Sequence, residues 1–348
     1  MNFWQKLKEE KKGEPILVLA PMADVTDRAF RQIIAKYGKP DVMWTEFVSA
    51  DGLMLGGREA LINDLAFSEP ERPIVAQFFT SKPEMMRKVA ELAVGLGFDG
   101  VDINMGCPDK SVEKQGAGAA LMKNSKLAQE IILATKSGVS RTPLDMRSQM
   151  SKEVFDTRIP VSVKTRIGYN KNELETWLPA LLETNPAVVT IHCRTRKEMS
   201  DVPARWEYVK RAVEIRDEYK KKVGEGNCQT LIFGNGDVID IADARQKARE
   251  TGCDGVMFGR AIFGNPWLFS GHIPTVEEKL KVLLEHSRLF EKLVQPKPPV
   301  GQGKGFAVMK KHFKAYVTGF DGAKELRVAL MDTENADQVE KIIYDYLK

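Results

Sequence analysis

Gly100-Val101-Asp102-Ile103-Asn104-Met105-Gly106-Cys107-Pro108 is the stretch on which the reading of this chain turns. From Gly100 to Met105 it is a short, largely apolar β-like run, and it stops abruptly in a Gly-Cys-Pro turn. The glycine lets the backbone bend and come close to a ligand, while the proline ends strand pairing. A thiol at the end of a buried strand is aimed into a pocket. Taken alone, Cys107 is read as readily as a small buried hydrophobe, the common fate of a free cysteine. The rest of the chain decides between the two.

Runs of the same kind recur on both sides. Strand-like segments are read at Ile16–Met22, Val42–Phe47, Pro73–Phe79, Gly100–Met105, Pro160–Arg166, Ala187–Cys193, Thr230–Gly234 and Gly255–Gly259. Each is short, apolar and bounded by Gly, Pro or polar residues, as parallel strands buried on both faces are. Amphipathic helical patterns follow most of them: Asp27–Tyr37, Lys82–Leu96, Ser125–Lys136, Leu174–Glu183, Trp206–Tyr219 and Ile241–Thr251. Strands and helices alternating over about 250 residues predict an α/β fold, a (β/α)8 TIM barrel. A doubly wound open sheet would want a glycine-rich first strand–helix turn, and Ala20-Pro21-Met22-Ala23-Asp24 is not one.

After the eighth strand the pattern becomes helical, with helices expected near Val276–Val294, Phe306–Thr318, Ala323–Met331 and Ala336–Leu347. The chain is thus expected to divide into a barrel domain, 1–273, and a small C-terminal all-α helical domain, 274–348. A polar stretch rich in Ser, Arg and Met, 139–158, reads as a surface insertion. Net charge is only +4, but eight Lys/Arg against two acids between Lys292 and Arg327 give a local +6. That is a footprint for a polyanion or a solvated helix face.

Composition excludes several classes. Four cysteines (107, 193, 228, 253) lie far apart with no CxxC, so neither a disulfide framework nor a zinc ribbon is expected, and a reducing compartment is. Four scattered histidines (192, 272, 286, 312) without HExxH give no metal site. There is no signal-like apolar leader and no long apolar run, so a cytoplasmic protein without membrane spans is expected.

In a barrel of this kind the site lies at the C-terminal ends of the strands. There the sequence puts Pro21 and Met22, Thr45 and Glu46, Gln77, Asn104 and Cys107, Lys164 to Arg166, His192 to Arg194, Gly234 to Asp237, and Gly259 with Arg260. Any one of these suits a satisfied structural role; so many on one rim do not. Loops after the last two strands commonly hold phosphate through glycine amides, and Arg260 adds a bidentate cation. A phosphate-bearing cofactor follows. Lys164 fits either a Schiff base or a cation facing an electron-rich ring; without other pyridoxal features, the second suits a flavin better. The glycines at 116–118 and 301–305 do not directly join a strand to a helix, and read as a flexible loop and a linker.

These segments resemble the tRNA-dihydrouridine synthases, a family of FMN-dependent barrel enzymes with a helical tRNA-binding domain. The likeness is carried by Ala20–Asp27, Thr45–Ala50, Asn104–Pro108, Gly116–Gly118, Val163–Gly168, Ile191–Arg196, Gly234–Asp237 and Gly259–Trp267, with Met309–His312 and Gly322–Arg327 in the helical part. The resemblance implies that Met22, Gln77, Lys164 and His192 hold the ring and ribityl parts of FMN, with Pro21 beside them. It implies that Asn235, Gly236, Gly259 and Arg260, flanked by Asp237, hold its phosphate. Asn104 and Arg166 would position the target uracil, Arg194 and Arg196 would lie close to the RNA, and Lys310 and Lys311 would bind tRNA. Reduced flavin would give a hydride to carbon 6 of uracil, Cys107 as general acid would protonate carbon 5, and NADPH would reduce the flavin. A monomer acting on tRNA is the expected form.

The chain departs from the family at Thr80, where glycine is common, at Cys193, where a smaller residue is usual, and at 197–204, which lacks the loop glycines. None removes a core catalytic residue. Two competing readings are an FMN-dependent dehydrogenase of dihydroorotate or dihydropyrimidine type, which leaves the basic helical part unexplained, and an RNA chaperone with secondary redox activity.

Overall fold

A computed structural model describes residues 1–140, 159–295 and 304–348. Of the expected insertion, Val139 ends a helix and Ser140 caps it; 141–158 lies outside the described residues. Eight parallel strands, β1 (Ile16–Leu19), β2 (Met43–Ser49), β3 (Ile74–Phe79), β4 (Gly100–Met105), β5 (Val161–Arg166), β6 (Val188–His192), β7 (Leu231–Asn235) and β8 (Gly255–Phe258), run in the order β1-β8-β7-β6-β5-β4-β3-β2. The ends of this row meet through a bridge between Val18 and Val42, with the Leu19 N–H donating to the Val42 carbonyl at 3.2 Å. The result is the TIM barrel expected from the alternation. Every residue of β3 and β4 is buried, the physical reason the runs read as nearly continuous apolar stretches.

The helices, in chain order, are α1 (Phe3–Glu10), α2 (Arg28–Tyr37), α3 (Ala50–Met54), α4 (Arg58–Leu61), α5 (Pro83–Gly95), α6 (Lys110–Lys114), α7 (Ser125–Val139), α8 (Leu174–Leu182), α9 (Glu207–Val223), α10 (Ile241–Thr251), α11 (Val276–Leu293), α12 (Met309–Tyr316), α13 (Ala323–Met331) and α14 (Ala336–Leu347). Local chemistry starts many of them. Asp27 accepts from the Phe30 N–H, Asn124 from Leu127, Asp240 from Asp243, and Thr275 with Glu278 forms a capping box.

Helix α1 was not expected. Its one buried residue, Trp4, packs against Trp44 and Phe233 with ring centroids 5.6 and 5.5 Å away. Gln5 and Lys8 bond to Gln229 and Asp254, which precede β7 and β8. Thus α1 closes the N-terminal end of the barrel.

The C-terminal helices dock at the other side of the sequence's first βα unit. His286 of α11 stacks on Phe30 of α2, and Glu285 accepts hydrogen bonds from Lys36 and Tyr37. After β8, Gly264 (φ +69°) lies so close to α12 that a Cβ there would stand 2.2 Å from the Ala315 carbonyl oxygen. Only glycine meets both conditions. No helix among the described residues is long and apolar enough to cross a membrane.

Candidate active site

Cys107 follows β4 and its backbone is held by the strand's last polar side chain. Asn104 Oδ1 accepts from the N–H groups of Gly106 (3.1 Å) and Cys107 (2.9 Å). Arg166, at the end of β5, donates through Nε to the Gly106 carbonyl (2.9 Å) and through Nη1 to the carbonyls of Thr195 (3.0 Å) and Met199 (2.9 Å). The loop beyond Cys107 contains α6, and its Glu113 is tied to Arg196, whose guanidinium lies over the Tyr169 ring. Burial pushes the Cys107 thiol above its ordinary range, against the pull of Arg166 and Lys164. The thiol is therefore a protonated donor at neutral pH.

Beside it, on the same rim, is a cavity of about 240 Å³. Its wall is built from Pro21 and Met22 after β1, Lys164 of β5, His192 of β6, and the loops after β7 and β8. Lys164, Arg194 and Arg260 face it against one carboxylate, Asp237. Burial and the nearby Arg166 bring Lys164 down to about 8, while Asp102 holds it up. His192 is kept neutral by burial and the surrounding cations. Since a guanidinium can only donate, the Arg194 Nη1 contact at 3.1 Å makes His192 Nε2 an acceptor and leaves the proton on Nδ1. Gly236 (φ +124°) would place a Cβ 2.8 Å from that of Ala204, whereas at Gly259 nothing lies within 4 Å. The open face at Gly259, the flanking Arg260 and the excess of cations suit a phosphate-bearing ligand with an electron-rich ring.

The predicted residues separate into groups. Pro21, Met22, Lys164, His192, Arg194, Asn235, Gly236, Asp237, Gly259 and Arg260 share the cavity wall. Asn235 Nδ2 donates to the Met257 carbonyl (2.8 Å), and Asp237 pairs with both Arg194 and Arg260. Asp237 thus stands as the counter-charge of the cationic wall. Gln77, fully buried, points its amide at Asp102 and Asn104 below the rim. Arg194, 3% exposed, spends its guanidinium on Val202, His192 and Asp237, and Arg196 spends its own on Glu113. Lys310 and Lys311 lie apart, on α12. Among the described residues no carboxylate comes within ion-pair distance of either.

Several residues of the site escape sequence reasoning. Asp102 and Ser162 lie beneath the rim on β4 and β5; alternation with Asn104 and Lys164 was the available signal. Lys304, read as part of a linker, reaches the rim and holds Glu46 Oε1 at 2.6 Å and Asp24 at 3.1 Å. A larger groove of about 780 Å³ lies at the opposite end around Lys8 and Arg216. Both are already paired with Asp254, and no strand C-terminus faces it.

The model of one family, Dihydrouridine synthase (Dus), matches residues 18–347. A "Probable tRNA-dihydrouridine synthase" of Staphylococcus aureus (strain MRSA252) is 37% identical over 349 residues, covering 99% of this chain and 95% of that protein. "Probable tRNA-dihydrouridine synthase 2" of Bacillus subtilis (strain 168) is 37% identical over 347 residues, covering 99% and 96%. Among solved structures, a 2-naphthoyl-CoA reductase complex aligns with a TM-score of 0.51 at 10% identity over 73% of this chain and 49% of that one, a likeness of fold.

Proposed function

Because the chain belongs to the dihydrouridine synthase family, we propose that it is an NADPH- and FMN-dependent tRNA-dihydrouridine synthase. It would reduce the carbon 5–carbon 6 double bond of specific uridines in tRNA, with Cys107 as general acid. The observation that carries the reading is a thiol held protonated by burial at the barrel rim, beside a cation-lined cavity.

FMN, when bound, supplies hydride transfer to carbon 6. The chain's own residues do the rest. Arg260 and the open backbone at Gly259 would hold the FMN phosphate, Lys164 would supply positive charge to the ring, and Met22 and the neutral His192 would line the same cavity. Gln77 acts from beneath through its buried amide. Asn104 and Arg166 shape the place of the uracil, which must leave its stack to arrive. Cys107 Sγ then donates its proton to carbon 5. We assign catalysis to 1–273 and tRNA binding to 274–348, where Lys310 and Lys311 meet the phosphate backbone; Arg194 and Arg196 stiffen the rim on the RNA side. A cytoplasmic location and action as a monomer belong to the same reading.

The test is a visible spectrum of the purified protein, followed by nucleoside mass spectrometry of unmodified tRNA incubated with enzyme and NADPH. A flavin spectrum with new dihydrouridine is expected. Flavin without product on any tRNA would favour a small-molecule dehydrogenase, and a colourless protein that binds no added FMN would sink the reading.

A further inference from the structure

The interior of the barrel beneath Cys107 holds a row of polar side chains, two of which, Asp102 and Ser162, have no part in the proposed reaction. Strand register aligns Gln77 of β3 with Asp102 of β4, and Asp102 with Ser162 of β5. One layer nearer the rim, Asn104 aligns with Lys164. Ser162 and Asp102 are essentially without solvent exposure, as is Gln77.

The hydrogen bonds run in one direction. Ser162 Oγ donates to Asp102 Oδ1 (2.5 Å), and Gln77 Nε2 donates to Asp102 Oδ2 (2.6 Å). Gln77 Oε1 accepts from Asn104 Nδ2 (3.1 Å), and Asn104 Oδ1 accepts from the backbone N–H groups of Gly106 and Cys107. An amide has a donor end and an acceptor end, so each of these two can point either way in isolation. Here both ends of the chain are unambiguous. Burial raises Asp102 to about 6, so at neutral pH it is an ionised acceptor, as the hydrogens directed at it by Ser162 Oγ and Gln77 Nε2 require, and the peptide N–H groups only donate. Turning either amide over would set donor against donor at Cys107 or acceptor against acceptor at Asp102.

We infer that Asp102 is a positioning residue for the general acid: by fixing the polarity of Gln77 and Asn104, it pins the backbone of Cys107 to the barrel. The inference rests on the proposed reaction for its kinetic consequence but not for its geometry. A misplacement of about 1 Å at a reacting group costs on the order of 100-fold in rate.

The experiment compares Asp102→Ala and Asp102→Asn in the full-length, flavin-loaded protein. Two readouts are taken: kcat and KM for tRNA, and the rate at which iodoacetamide alkylates Cys107, followed by peptide mass spectrometry. Asparagine can accept from Gln77 and donate to Ser162 Oγ, whose hydroxyl then turns to the Val101 carbonyl, so the polarity survives without the charge. Asp102→Ala is expected to lower kcat by ~10–100-fold with KM for tRNA unchanged, and to change the Cys107 alkylation rate several-fold. Asp102→Asn, which also removes the charge that holds Lys164 up, is expected to keep the Cys107 alkylation rate within about 3-fold of the parent and to lose less kcat than the alanine variant. An alanine variant like the parent in both readouts overturns the inference. So does an asparagine variant with an altered alkylation rate, which would make charge the operative property; this arm stands even where the alanine variant does not fold. Absence of dihydrouridine from the parent enzyme would instead defeat the proposed function, leaving the alkylation comparison to decide the positioning.

Discussion

Replacing Lys304 with methionine tests how the C-terminal helices are fastened to the barrel rim. Methionine keeps most of the aliphatic stem, so the change removes charge more than packing. The ammonium lies 2.6 Å from Glu46, a carboxylate only 5% exposed, 3.1 Å from Asp24 and 4.0 Å from Asp64. Removing one partner of a buried pair costs about 3–5 kcal/mol. Lys304 keeps 20% of its side chain exposed, which scales the loss to ~2–3 kcal/mol. With ~2.1 cal/mol/K of unfolding entropy per residue over 348 residues, about 0.7 kcal/mol/K, the melting midpoint falls by about 3–4 °C. The deficit depends on pH. Burial raises Asp27 and Asp64 from 3.8 to about 6 each, with Lys304 pulling both down. A carboxyl raised on folding stabilises the protein below its unfolded value, and that stability is lost as pH rises through about 6. Without Lys304 both rise further, so the share of the deficit carried by Asp27 and Asp64 is felt at about pH 8 and is absent at about pH 4.5, where both are protonated with or without Lys304; Lys304→Met should therefore cost less at the lower pH. Thermal unfolding of both proteins at the two pH values is the assay. Equal deficits at both, or none at the higher pH, would refute the reasoning.

Cys107→Ala should keep the yellow colour and lose ~100–10,000-fold in turnover; a colourless variant, or one with normal turnover, contradicts the role given to the thiol. Arg260→Ala should weaken FMN retention by about 10-fold, the loss of one charge-assisted phosphate contact, read by equilibrium titration of the apoprotein; unchanged affinity would move the phosphate elsewhere. Gly264→Ala should destabilise by ~2–4 kcal/mol in denaturant unfolding, since φ +69° and a Cβ 2.2 Å from the Ala315 carbonyl leave no room. A variant as stable as the parent would mean that α12 does not press on that loop.

The strands and the larger helices were legible because burial writes itself into sequence. Gly100–Met105, Ile241–Thr251, Ala323–Met331 and Ala336–Leu347 were read to the residue. What escaped has a common physical origin. Helix α1 carries a single buried residue, Trp4, and one anchor has no period. Lys304 sits among glycines, and its purpose depends on Glu46, 258 residues away in sequence. The rim residues could be named from strand ends, yet the work each does was set by neighbours. Arg194 reads in sequence as a residue close to the RNA, and what the sequence does not show is that its guanidinium is bound to Asp237 and the carbonyl of Val202. Asp102 looked like one more polar residue in a strand, and only pairing across β3, β4 and β5 shows what it orders.

Trp4, wedged between Trp44 and Phe233, caps the far end of a barrel whose interior is itself filled with buried side chains. Whatever enters by the rim must leave by the rim. If a nicotinamide donor and a flipped uracil both need the exposed face of the same bound ring, they cannot queue from opposite ends. One visitor has to depart before the next is admitted, and initial rates over both concentrations should then trace parallel lines in double-reciprocal form; intersecting lines would mean that both are aboard at once.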